Sequence, residues 1–431
     1  MLSILLNLAV CLAAPDHASI GAVPLVLAAP SGDASGPEKK SKKAKSQKIE
    51  LSDTVSGRSV KVLANDKVNN HHPSYRGEFA GKYPKRVYDG ARWLHTSADF
   101  VWACWRVMDG LYNRDYRKLH GVLEEVRSEF PGSGVAPVGK ALMWQVLMLE
   151  NFDFRYETQY DTAFELAKEE LRDSMSVPGN DAWEHFLLGA IVGVNSIHEL
   201  RKENFLSAIN QGLVAISHIE QAKSIAPLFV DADLGDGLWL YWRSLIASNV
   251  PGIPGFKDER VKGIELMQKA EREAVFLRPA ASFSLVYTWI EERRLHFASQ
   301  TAEYLRQEYP RNVINLQVLG RVQMYRKKYP DSEQSFLKVL EVSPKNQRTH
   351  YYLARLYMKM KDYARAEYAI LKYLKFDSNT IHKAYGYLYK GHIMYRQKKW
   401  KEAADSYDKA ASLHPIKSAS GLAEKSRKKL K

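Results

Sequence analysis

The feature that most constrains this chain is a spacing of 34 residues. Pro310 and Pro344 stand 34 apart, Ser378 lies another 34 on, and Pro415 follows 37 later. Each ends a block that reads as two helices. Leu319-Gly320, Leu353-Ala354 and Lys390-Gly391 hold matching places in the first helices, and Val286 takes the small-residue slot one block earlier. Twelve residues beyond each slot come Ala298, Ser332, Ala366 and Ala403, and four further on Ala302, Phe336, Ile370 and Tyr407. Small residues let the two helices of a pair approach closely, a large one fills the groove beside them, and proline stops the second helix. One helical pair cannot bury its own apolar face, so pairs of this kind must stack.

That period and those slots resemble the tetratricopeptide repeat, with four repeats over 279–417. The resemblance implies an all-α fold, a right-handed solenoid of helical hairpins whose first helices line a concave groove. Upstream, 90–278 carries a helical period in degenerate hairpins: Thr96 to Tyr112 with Asp115 to Phe130, Val138 to Glu150 with Thr158 to Leu171, Asp181 to Asn195 with Glu203 to Ala226, and Leu234 to Ala247 with Lys257 to Phe276. The order Gly235, Gly237-Leu238, Ser244, Gly255-Phe256, Arg260 and Gly263 is similar to the split repeat of a tetratricopeptide group related to a fungal outer-mitochondrial protein. This second resemblance implies architecture only.

The N-terminus is of another kind. Met1 to Ala14 and Ile20 to Ala29 are apolar, with small-residue cleavage candidates near Ala14 and Ala29. They read as a secretory signal, although no Lys or Arg precedes the apolar core. A periplasmic or secreted protein is the expectation, with a cytoplasmic one as the alternative. Residues 30–89 read as a disordered basic linker and an irregular region, and the His71-His72 pair as a loop.

The net charge of +14 suggests nucleic acid until it is placed. Residues 38–48 hold six Lys and one Glu, and residues 417–431 six Lys/Arg and one Glu. Between them, 90–278 has 20 Lys/Arg against 27 Asp/Glu, whereas 279–416 has 24 against 13. The repeats are therefore the basic half, suited to an acidic partner. Binding of nucleic acid or another anionic polymer through the two Lys-rich tails is the alternative. The 418–431 tail reads as a basic capping helix.

No spacing for catalysis emerges. There is no His-Glu-x-x-His, no phosphate-cradling Gly loop and no Gly-x-Ser-x-Gly. The acids at Asp231, Asp233 and Asp236 lack the glutamate of a calcium loop, since the twelfth position is Trp242, and they read as a helix start. With two cysteines, Cys11 and Cys104, there is no disulfide framework, and Cys104 reads as a buried thiol. The expectation is a non-enzymatic scaffold with no cofactor and no metal, holding a protein partner. As the resemblance implies, the inward stripe of the first helices gives a peptide groove: Tyr287; Gln317, Arg321 and Tyr325; Arg348, Tyr351, Arg355 and Lys359; Tyr385, His392 and Arg396. Cations alternate there with tyrosines, which suits an extended or acidic peptide.

Overall fold

The computed structural model describes 81–176, 181–249, 257–376 and 380–430, with two short strands, Thr54–Val55 and Arg58–Ser59, paired antiparallel. The expected export signal, the Lys-rich run at 38–48 and the His71-His72 loop lie outside the described residues. The rest is helical. Helix α1 (Lys85–Trp93) is followed by α2 (Ala98–Tyr112), α3 (Tyr116–Glu129), α4 (Val135–Asn151), α5 (Glu157–Met175), α6 (Ala182–Arg201) and α7 (Phe205–Ile225). Then come α8 (Asp231–Asn249), α9 (Arg260–Glu273), α10 (Arg278–Glu291), α11 (Leu295–Glu308), α12 (Val313–Tyr325) and α13 (Tyr329–Val342). The series ends with α14 (Gln347–Lys359), α15 (Tyr363–Leu374), α16 (Thr380–Arg396), α17 (Trp400–Leu413) and α18 (Ala419–Arg427).

From α2 to α17 the helices pack pairwise, each with the next, as hairpins stacked in series. The slots read from the sequence are where the pairs touch. A Cβ on Gly320 would lie 2.6 Å from the Phe336 ring, and Ser332 Oγ donates to the Gly320 carbonyl at 2.7 Å. In the split pair, α8 and α9 cross so closely that a Cβ on Gly263 would come within 2.6 Å of the Gly237 carbonyl oxygen. Helix α18 buries Ala419, Ala423 and Ser426 against α17 and so covers the last hairpin.

The turns show that the two halves share one design. In the clear repeats Arg293, Lys327, Lys361 and Lys398 adopt positive φ between 57° and 62°. The next residue's N–H then bonds back across the end of the first helix, as in Lys328 N to Gln323 O at 2.9 Å and Asp362 N to Tyr357 O at 2.9 Å. This is the six-to-one closure of a helix C-terminus. Arg114, Phe152 and Glu203 do the same upstream, with Asp115 N to Gly110 O at 3.1 Å, Asp153 N to Met148 O at 3.2 Å and Asn204 N to Glu199 O at 2.9 Å.

One sequence boundary moves. Residues 85–89, expected to be irregular, open α1, whose Gly90 packs on Val275 and whose Arg86 donates to the Ala274 carbonyl at 3.2 Å. Tertiary contact with the turn after α9 supports a helix too short to persist alone.

Candidate functional site

The inner wall of the solenoid is built from the first helix of each hairpin. In the C-terminal half these are α12, α14 and α16. Asn312 and Asn346, 34 residues apart, cap α12 and α14: their Oδ1 atoms accept from Asn315 N and Thr349 N at 2.9 and 3.0 Å. Asparagine differs from the other capping residues in keeping two amide N–H groups after its oxygen is used. Both residues spend them across the molecule. Asn312 Nδ2 donates to the Tyr112 carbonyl at the end of α2, at 3.0 Å. Asn346 Nδ2 donates to the Glu150 carbonyl at the end of α4, at 2.8 Å.

The end of α4 is held throughout in this way. A helix leaves its last carbonyls without intrahelical partners. Here Leu149 O accepts from Arg348 at 3.0 Å, Glu150 O from Gln317 at 3.0 Å as well as from Asn346, Asn151 O from Gln347 at 2.6 Å, and Phe152 O from His382 Nδ1 at 2.7 Å. Four consecutive carbonyls from one half meet side-chain donors from the other, about 200 residues away. The positive ends of α12 and α14 face the negative ends of α2 and α4, so the macrodipoles add to the attraction. Arg348 also lies 3.5 Å from the Phe152 ring centroid and donates to Tyr352 Oη at 2.8 Å. On the other side Arg201 donates to the Asp153 carbonyl at 2.9 Å.

Burial shifts the charged members. It lowers the Arg201 pKa to about 10, and Arg348 falls in the same direction. Burial, with Arg201 and Arg348 nearby, brings His382 down to about 4. His382 is therefore neutral near pH 7, with its proton on Nδ1 to serve Phe152.

This contact revises the expected groove. Tyr287, Gln317, Arg321, Arg348, Tyr351 and Arg355 do point inward, but they are buried rather than open. For Gln317 and Arg348 the physical reason is curvature, since the end of α4 reaches the inner face of α12 and α14, whereas Tyr351 packs against Tyr352, Tyr373 and Tyr389. Tyr325, Tyr385 and His392 are half-buried, and Lys359 and Arg396 are exposed. His392 Nδ1 pairs with Tyr407 Oη at 2.9 Å, and Arg355 hydrogen-bonds Tyr389. Of the expected residues, Gln317 and Arg348 lie at the closure, and Lys359 and Arg396 are the exposed ones.

In the N-terminal half the inner wall forms a half-open hollow of about 400 Å³, lined from α2, α4, α6, α8, α10 and the start of α12. The sequence carried a signal for it. Helices α4 and α6 bury residues on every face, leaving no polar stripe for a solvated groove. Asp231, at the start of α8 as expected, is buried and accepts from the N–H groups of Val275, Phe276 and Leu277 at 2.7, 2.7 and 2.9 Å. Burial raises its pKa to about 6 despite those bonds. Cys104 is buried at the wall, which pushes its thiol pKa up.

The chain is a solenoid of helical hairpins stacked in series, the architecture that its 34-residue pattern implies. No family model matches the sequence, and no curated protein matches it. Among solved structures, the human IFIT1 dimer with PPP-AAAA is similar at a TM-score of 0.48 and 15% identity, over 77% of this chain and 85% of that one. The APC/C hetero-tetramer Cut9-Hcn1 is similar at 0.42 and 14%, over 72% and 59% of the two chains. The apo form of RapI is similar at 0.36 and 14%, over 77% and 98%.

Proposed function

We propose that the protein is a non-enzymatic scaffold that binds a protein partner through the outer face of α7. The observation that carries this reading is an exposed apolar ridge. Phe205, Leu206, Leu213 and Val214 are exposed within the first half of α7, Leu206 at 78%. Large apolar side chains grouped on a folded surface mark interaction sites. Set as two pairs about two helical turns apart, they suit an apolar groove or helix on a partner. Leu206→Asp with Leu213→Asp should lower partner recovery from native extract at least tenfold. Unchanged recovery would dismiss the ridge.

The open end of the C-terminal wall supports a second reading, an acidic peptide. Lys359 and Arg396 are exposed there, and neither forms an ion pair among the described residues. Lys359→Glu with Arg396→Glu should abolish binding of such a peptide while the ridge variant keeps it. The apolar pattern of residues 1–29 supports export to a periplasmic or secreted location. A native protein that still begins at Met1 would rule export out.

A further inference from the structure

We propose that the hollow in the N-terminal half is a binding site for one molecule of a neutral, hydrocarbon-rich lipid. The proposal is independent of the partner surface on α7. Its size suits a ligand: about 400 Å³ falls within the 300–1,000 Å³ or so of small-molecule sites. An apolar cavity of roughly 150 Å³ already stays dry and takes benzene. The hollow is half open, and its apolar wall is costly to leave against water, which favours an apolar occupant.

The wall names the chemistry. Met108, Leu142, Val146, Val194, Leu238 and Phe283 line the hollow from five different helices and are only half-buried, because their side chains face it. Among the described residues, no Lys, Arg or His lines it. The one carboxylate among them, Asp231, is satisfied by three backbone N–H groups. Of the polar groups at its edges, Asn312 bonds Tyr112 O and Asn315 N, and Ser284 Oγ donates to the Ala280 carbonyl, whereas Tyr112 Oη, Trp183 Nε1 and Asn315 Oδ1 on lining residues have no hydrogen-bond partner among the described residues. An anionic head group would enter this space with no cation to meet it, a heavy cost in an apolar site. Nucleotides, peptides and ionised fatty acids are disfavoured on that ground, whereas a long-chain alcohol or a fused-ring hydrocarbon meets matching surface throughout.

The test uses the full chain with Nile red as probe. Hexadecanol and hexadecanoate compete at pH 8, where the acid is ionised. The expected result is saturable one-to-one binding, with hexadecanol displacing the probe at least tenfold more strongly than hexadecanoate. Ala190 and Val194 lie one turn apart on the α6 face that lines the hollow. Ala190→Phe with Val194→Phe should fill it and weaken probe binding at least tenfold while the thermal transition is kept. Should that variant not fold, Ala280→Leu on α10 fills the hollow from another helix. Leu206→Asp with Leu213→Asp should leave probe binding unchanged, which separates the hollow from the ridge on α7. Rejection of the probe by the full chain overturns the proposal, whatever fills the hollow instead. So does binding that survives filling, and so does equal competition by hexadecanoate.

Discussion

The two halves of this solenoid repeat one hairpin but line their inner walls with opposite chemistry. From α2 to α8 the inward residues are hydrocarbon and line a half-open hollow. From α12 to α16 they are Asn, Gln, Arg and His, and four carbonyls at the end of α4 occupy them. The halves differ outside the wall far less: both close their turns with a positive-φ residue and a bond back across the first helix. What a repeat binds is therefore set by one stripe per helix, independently of the packing slots that make it a repeat.

The comparison breaks most severely at Arg348. Arg348→Ala removes the donor to Leu149 O and the cation over Phe152, and leaves a buried gap. The expected cost is about 3 kcal/mol, read by urea unfolding. A loss below about 1 kcal/mol would mean that the closure contributes little.

Acid attacks the same contact through His382. Its folded pKa of about 4 lies below the ordinary value of 6.5, so the unfolded chain takes up the proton first. Stability from this group is full above pH 6.5 and is lost as pH falls toward 4. By pH 5 the loss is about 2 kcal/mol. His382→Asn should flatten the stability profile over that window. His198, also lowered to about 4 by burial, adds to the slope, as do His218 and His350, lowered in the same direction, whereas Asp231, raised to about 6, opposes it.

Asn346→Asp sharpens the comparison by splitting two roles of one side chain. The carboxylate still caps α14, but it places an anion beside the Glu150 carbonyl where a donor stood. A loss of about 1–2 kcal/mol is expected. Faster hydrogen exchange around 149–153 with unchanged exchange at the start of α14 would mark the closure as the element lost; the reverse pattern would assign Asn346 to capping alone.

Arg365 should matter least. It bridges Glu333 and Asp362 at 2.8 and 2.6 Å on the exposed surface of the repeats. Arg365→Ala should change stability by no more than about 0.5 kcal/mol. A larger effect would show that the outer face of the repeats contributes more than its exposure suggests.

The packing slots were legible because they depend on neighbours 12 to 16 residues away, such as Gly320 with Ser332 and Phe336. Two residues of the expected stripe, Gln317 and Arg348, reach carbonyls at the end of α4. That inward meant buried was not legible, because the covering segment lies near residue 150. A trace of it stood in Asn312 and Asn346, two caps one repeat apart, and in the apolar faces of α6 all round.

The sequence by itself determined the helices, their pairing and the 34-residue period, since each follows from contacts within one or two hairpins. Only the tertiary structure decided that the wall closes on itself. Each hairpin adds a small rotation set by the volumes at its interface, and those rotations accumulate along the stack. Whether α4 reaches α14 depends on their sum, a quantity that no single residue carries.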